Sequence, residues 1–215
     1  MNIFFISLCQ KLAAQWMCDK HVVKMVLEAV QLLYGCWHLN KKDLPFDHDE
    51  LKVYKLSHKG HPMMHWVREC QENYFWTLDL AYAIADEYTY RYGKVHACVA
   101  HLDRLKKFGY PSVEIFEDIK PTKKRKREVK ERLFATNGIP KKCTPYPLCF
   151  GENGDVYIVK DGDQIFGIES YQRYYQSKLP MMAYTKREVP DFLNANFEET
   201  VNKKGVRVYK YLDVL

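Results

Sequence analysis

Three polar residues of one predicted helix, His21, Lys24 and Glu28, have the types and spacing needed for proton transfer or nucleophilic attack. Intervals of three and four residues place them on one helix face, with Lys20 beside Lys24. A carboxylate one turn from an amine can hold a proton, and an uncharged lysine amine can attack an electrophilic carbon. These four residues are the candidate catalytic residues, although an ordinary surface ion pair has the same spacing.

Three histidines, at positions 58, 61 and 65, surround the start of a second predicted helix. No carboxylate or cysteine completes a set at metal-ligand spacing, so the sequence predicts no metal site. A helix start favours an anion, because its N–H groups and dipole point at the ligand. We therefore predict that His58 and His61 contact a phosphate or a base, and we group Arg68 with them.

Two further segments, at 87–96 and 171–178, combine tyrosines with basic residues. This mixture suits a nucleic-acid groove, in which bases stack and phosphates pair with cations. A tyrosine-rich helix end that packs on the core has the same composition. The predicted nucleic-acid contacts in these segments are Arg91, Lys94, Tyr171, Tyr174, Tyr175 and Lys178.

The formal charge is +6, and its placement is uneven, since residues 120–132 hold eight basic and two acidic residues. Such a run is typical of phosphate binding, with Lys123, Lys124 and Arg125 as contacts, or of nuclear import. A solvated loop is the alternative. We expect a cytoplasmic protein, or a nuclear one if the host is eukaryotic.

Seven cysteines with no Cys-x-x-Cys spacing indicate a reducing compartment. No phosphate loop, dinucleotide fingerprint, metalloprotease motif or serine-hydrolase motif occurs, and we expect no cofactor. The apolar start, MNIFFISL, lacks a basic region and a cleavage site, so it is interpreted as a buried lead-in rather than a signal peptide. No apolar run approaches membrane-spanning length, and we expect a monomer with no membrane partner.

The elements that position these residues are predicted to be helical. Periodicity near 3.6 predicts a first helix over 12–38, and a second long helix over 62–92 begins at Pro62 and stops at Gly93. The residues expected on the buried side of the first helix are Val22, Met25, Val26, Ala29, Val30 and Leu33.

Shorter elements follow the two long helices. A third helix is predicted over 94–107, and residues 138–154 are expected to form a loop because they are rich in glycine and proline. Apolar runs flanking the turn at 160–163 predict a β-hairpin, Ser170 is a candidate cap of a short helix, and 206–209 alternates like an edge strand.

We therefore expect a mostly α-helical protein, a compact domain with two long helices and a small β-hairpin appendage. Its predicted division is a helical core over 1–118, a basic segment over 119–135, and a remainder over 136–215 that belongs to the same domain.

Three stretches resemble the bacteriophage pyrimidine-dimer DNA glycosylase (endonuclease V) family, over roughly half of the chain. NIFFISL leads into LAAQ at 12–15 and the first helix, Gly60-His61-Pro62 opens the central helix, and 171–178 is similar to the family's aromatic tail. The stretch DKHVVKM at 19–25 also resembles uncharacterised phage and large-virus proteins.

The resemblance implies a compact all-α fold that binds double-stranded DNA and flips a nucleotide out of it. In the family an N-terminal amine attacks the sugar C1′ to give a Schiff base, assisted by a glutamate on the first helix. Here an ungapped match puts Val23 at the glutamate position, and the bulky Asn2 predicts that Met1 is retained. Glu28 would then replace the acid, and Lys20 or Lys24 the amine.

Three functions remain open from the sequence. The first is a DNA glycosylase, with or without lyase activity at abasic sites, for a damaged or modified base. The second is a base-modifying transferase that acts on viral DNA, and the third is a non-catalytic DNA-binding module.

Overall fold

The structure is a computed structural model that describes residues 2–47, 50–113, 133–151, 154–178, 182–194, 197–201 and 207–211. Within these ranges the protein is mostly α-helical and carries two small antiparallel hairpins, which confirms the predicted fold class. The predicted contacts Lys123, Lys124 and Arg125 lie outside the described residues.

The predicted first helix is two helices, α1 at Gln10–Trp16 and α2 at Asp19–Asn40. Met17 and Cys18 between them are buried and extended, and the Cys18 N–H donates to the hydroxyl of Tyr175 at 2.7 Å. This long-range bond satisfies the main chain at the break. On α2, the six residues predicted to face the core are all buried.

The second long helix was predicted to be continuous over 62–92, and this is wrong because it is interrupted at Cys70. It forms α3 at Pro62–Glu69 and α4 at Gln71–Tyr92, with Cys70 extended at φ −151°. The side chain of Asn73 donates to the carbonyl of Trp66 at 2.7 Å, which satisfies the exposed end of α3. Gly93 ends α4 in the left-handed region at φ 66°, as predicted.

Helix α5, Val99–Phe108, begins later than predicted. The loop before it is fixed by hydrogen bonds of the ring of His96. Its Nδ1 accepts from the N–H of Cys98 at 3.1 Å, and its Nε2 lies 3.1 Å from the carbonyl of Val23 on α2. The helix ends at Phe108, one residue after the predicted end, and Gly109 follows it as the cap.

The predicted hairpin is present as β1 at Val159–Asp161 and β2 at Gln164–Phe166, paired antiparallel. It leads directly into α6, Gly167–Gln176. Ser170 lies inside α6 rather than capping it. Its hydroxyl donates to the carbonyl of Phe166 at 2.6 Å and accepts from the N–H of Val159 at 2.9 Å, so it joins hairpin and helix.

The last elements are α7 at Asp191–Asn194 and a second hairpin of β3, Phe197–Val201, with β4, Arg207–Tyr211. The predicted edge strand over 206–209 is therefore confirmed for its described residues. A 3₁₀ turn at Gly154–Tyr157 precedes β1. The described residues 138–151 form a loop, as predicted, apart from an isolated bridge between Pro147 and Phe134.

The core lies where α2 packs on α4, with α1, α3 and α5 around them. The N-terminal segment, residues 2–7, runs through this core outside any helix or strand of the described residues, and Ile3, Phe4, Phe5 and Ile6 are buried. The ring of Phe5 is fully buried between Trp76 and Tyr146, at centroid distances of 4.7 and 3.7 Å. Among the described helices, none is long and apolar enough to cross a membrane.

Candidate functional site

The polar face of α2 meets the N-terminal segment at the carboxylate of Glu28. One of its oxygens accepts a hydrogen bond from the backbone N–H of Asn2 at 2.9 Å, and the other pairs with Lys24 Nζ at 2.9 Å. Glu28 is only 8% exposed, whereas the Lys24 side chain is 66% exposed. The pair therefore joins a buried carboxylate to an amine at the surface.

His21 lies one turn before Lys24 and is held by aromatic residues. Its ring stacks on Phe4 with centroids 4.5 Å apart, and its Nδ1 lies 2.9 Å from the hydroxyl of Tyr175 on α6. Burial, reinforced by the charges of Lys178 and Lys24, lowers the pKa of His21 to about 4, although Glu28 opposes this effect. His21 is therefore uncharged at neutral pH and acts as a hydrogen-bonding group.

The tyrosines of α6 support the N-terminal segment from its other side. The hydroxyl of Tyr171 lies 3.3 Å from both Asn2 Oδ1 and the carbonyl of Pro147. Tyr171 and Tyr175 are fully buried, so their predicted role in stacking on bases is wrong, since a buried ring offers no face to a ligand. Tyr174 is half-buried, and Lys178 Nζ lies 4.4 Å from its ring centroid.

Arg91 also departs from its predicted role. Its guanidinium is 0% exposed and binds Glu87 at 2.7 Å, Asp19 at 2.8 Å and the carbonyl of Gln15 at 3.0 Å. Because these partners enclose the group, Arg91 is not available to a phosphate in this structure. It joins α4 to the start of α2.

Arg187 and Thr185, which the sequence does not single out, complete this ionic network. Arg187 donates to both oxygens of Glu87 at 2.9 and 2.8 Å, and Thr185 donates to Asp19 through its N–H and hydroxyl. Burial raises the pKa of Glu87 and of Asp19, but these hydrogen bonds outweigh it and hold both pKa values below their usual range. Residues 185–187 are thus fastened beside the candidate site.

The predicted contacts near α3 lie on a different surface. His58 is exposed. His61 caps α3, because its Nδ1 accepts from the N–H of Met63 at 3.1 Å. This N–H is therefore not available to an anion at the start of α3. Arg68 donates to Asn40 and lines a cleft of about 450 Å³ with Trp66 and other residues. Lys94 is exposed in the loop after α4.

The structure therefore places His21 against α6 and Glu28 against Asn2, with Lys24 paired to Glu28, and it leaves Lys20 exposed on the same helix face. Sequence reasoning missed Asn2 and Phe4 as site residues, and the NIFFISL stretch of the resemblance was the one signal pointing to them. In the described part of the chain, no three histidine, cysteine or acidic residues are grouped as metal ligands. Comparisons of the chain with protein-family models, curated proteins and solved structures found no match.

Proposed function

We propose that the protein is a DNA glycosylase that acts on a damaged or modified base of double-stranded DNA at the start of α2. The observation that carries the proposal is the carboxylate of Glu28, which is buried, bound to the main chain of Asn2 and paired with Lys24 at 2.9 Å. It fixes an acid beside an amine that remains accessible to a large substrate. This is the combination that amine-dependent attack on a sugar carbon requires.

In the proposed reaction, Lys24 gives a proton to solvent, and its uncharged Nζ attacks C1′ of the flipped nucleotide. The new N–C bond forms as the bond from C1′ to the base breaks, and the base leaves with the electron pair and takes a proton from water. Glu28 accepts a proton from the resulting ammonium group and returns it to the ring oxygen. The sugar ring then opens to a Schiff base, which water hydrolyses.

The surroundings of the pair support binding of an anionic substrate. Lys20 and Lys24 are exposed on α2, and Lys178 acts on His21 from the α6 side. Since these cations flank one site, they are placed to bind backbone phosphates, which position a duplex without reading its sequence. His21, uncharged, is suited to donate or accept a hydrogen bond within the site.

Borohydride trapping tests the proposal. The wild type is incubated with duplexes that carry an abasic site, a pyrimidine dimer or other base lesions, and borohydride reduces any Schiff base to a stable adduct. We expect an adduct that maps to Lys24 by peptide mass spectrometry. Lys24→Ala should abolish it, and Glu28→Gln should slow it by about 100-fold or more, the usual contribution of a general acid or base.

The matched control is Lys55→Ala, which removes another exposed lysine outside the site. It should trap as the wild type does, and circular dichroism should show that all variants are folded. Absence of both base release and adduct on the whole lesion panel would contradict the proposal. An adduct that maps to another amine would reject Lys24 as the nucleophile.

A non-catalytic DNA-binding module is the second candidate. It is favoured by the same carboxylate, because both oxygens of Glu28 have partners, as in a structural clamp. In this case the protein binds DNA with an affinity that falls linearly on a log–log plot against salt concentration. Glu28→Gln would then leave DNA binding unchanged, and no base would be released from any duplex.

A further inference from the structure

A separate cleft of about 370 Å³ lies beside α5, and none of the residues of the α2 site lines it. Arg104 and Lys107, one turn apart on α5, provide two cations to it. The ring of Phe108 and the loop residues Glu50 and Leu51 form other parts of its wall. The cleft therefore combines two cations and two carboxylates, of Glu50 and Asp103, with an apolar surface.

The guanidinium of Arg104 is the distinctive group of this cleft. The residue is 8% exposed, and Nη1 donates to the carbonyl of Leu51. Among the described residues, Nη2 is buried and makes no hydrogen bond, although the hydroxyl of Tyr34 also interacts with the guanidinium. A buried donor without an acceptor costs folding free energy, so its presence beside a cleft calls for a ligand that supplies one.

The two carboxylates of the cleft do not meet this need. Glu50 lies 3.5 Å from Nη2 in an ion pair without a hydrogen bond, and its side chain is 78% exposed. It can therefore turn outward into solvent. Asp103 already accepts a hydrogen bond from the hydroxyl of Tyr82 at 2.7 Å.

We propose that this cleft binds a phosphate group, which accepts from Arg104 Nη2, pairs with Lys107 and displaces Glu50. A guanidinium matches the oxygen geometry of phosphate, and a lysine adds a mobile positive charge. Phe108 offers a surface for the organic group that carries the phosphate, because its ring is partly exposed at the cleft. The phosphate of a nucleotide and free inorganic phosphate share this chemistry.

Titration with inorganic phosphate, at constant ionic strength maintained with chloride, tests the proposal. Amide NMR signals should shift for Leu51 and for residues 100–108. Lys107→Ala should weaken binding about fivefold, the factor that corresponds to one exposed charge pair. Glu50→Gln should strengthen it by a similar factor, because it removes the charge that competes with the ligand.

The matched control is Asp86→Asn, which removes an exposed negative charge on α4 outside the cleft and should leave the affinity unchanged. A parallel titration with thymidine 5′-monophosphate distinguishes a nucleotide from free inorganic phosphate as the ligand. Tighter binding than inorganic phosphate identifies a nucleotide as the ligand, and equal binding identifies free phosphate. The proposal is overturned if phosphate causes no shifts at α5, or if Glu50→Gln and Lys107→Ala leave the affinity unchanged.

Discussion

At the scale of single residues, the Glu28 side chain contacts both the N-terminal segment and a neighbouring lysine. Its carboxylate binds both the main chain of Asn2 and the amine of Lys24, so it contributes to folding and to any chemistry at the site. Replacement by alanine would remove both contacts and leave the Asn2 N–H without its acceptor, which mixes the two effects. Glutamine keeps an oxygen for Asn2 and removes the charge, and it is therefore the informative substitution.

His21 provides a prediction at the same scale. Burial and the charges of Lys178 and Lys24 favour its uncharged form, and we expect its pKa to be about 4 in the folded protein. Because this value lies below the ordinary 6.5, protonation favours unfolding. The stability that the uncharged ring provides is complete above pH 6.5 and is lost as the pH falls toward 4.

NMR titration of the His21 ring signals measures this pKa directly. A His21 midpoint near 6.5 would show that the ring is solvated and would contradict the stacked arrangement.

At the scale of elements, the ionic network fastens residues 185–187 to α2 and α4. Arg187→Ala removes two hydrogen bonds from the buried carboxylate of Glu87 and leaves Arg91 as its partner. We expect the free energy of unfolding, measured by urea denaturation, to fall by about 1.5–3 kcal/mol. Glu188→Ala, which replaces the exposed residue after Arg187, is the control and should change the free energy of unfolding by less than about 0.5 kcal/mol.

The pH dependence of the same variant follows from the low pKa of Glu87. A carboxyl group with a lowered pKa stabilises the fold above its ordinary value of 4.5, and this contribution is lost as the pH falls below it. Without Arg187 the pKa of Glu87 rises toward its ordinary value. Acid unfolding should therefore begin at a higher pH in Arg187→Ala, and an unchanged acid transition would refute the network's role.

Element boundaries were predictable where a single residue type dictates them. Gly93 and Gly109 end helices because each adopts a positive φ, and the Asp-Gly turn forms the predicted hairpin. The breaks at Cys18 and Cys70 were not predictable, because neither stands beside a glycine or proline. They are satisfied by distant partners, such as the hydroxyl of Tyr175 for Cys18.

The candidate site was predictable to the same limited extent. Helical spacing placed His21, Lys24 and Glu28 on one face, because that relation is local. It did not reveal that Asn2 binds Glu28 or that Arg187 binds Glu87, since no pattern connects residues so far apart. Spacing likewise did not distinguish the buried Tyr171 from the half-buried Tyr174 of the same helix.

At the scale of the whole molecule, the buried ring of Phe5 anchors the N-terminal segment to the core. Its ring packs between Trp76 of α4 and Tyr146 of the loop before β1. Phe5→Ala should lower the free energy of unfolding by about 3–5 kcal/mol, the usual cost of removing a buried phenyl ring. Thermal or urea denaturation measures it, with Phe75→Ala, a partly exposed phenylalanine on α4, as the control.

A loss for Phe5→Ala no larger than that for Phe75→Ala would mean that the N-terminal segment is not held by the core. The His21 ring, which stacks on the adjacent Phe4, would then be expected to regain an ordinary pKa.

The long-range anchoring of the N-terminal segment also sets an order of events during synthesis. Asn2 contacts Tyr171 and Cys149, so these contacts of the N-terminal segment form only after residue 171 has left the ribosome. Until then, α2 can associate with α4, but the polar side chains at its start have no α6 against which to pack. The nascent protein would acquire its helical scaffold early and its candidate site last. A chain that stops before residue 171 would have the helical scaffold without the candidate site.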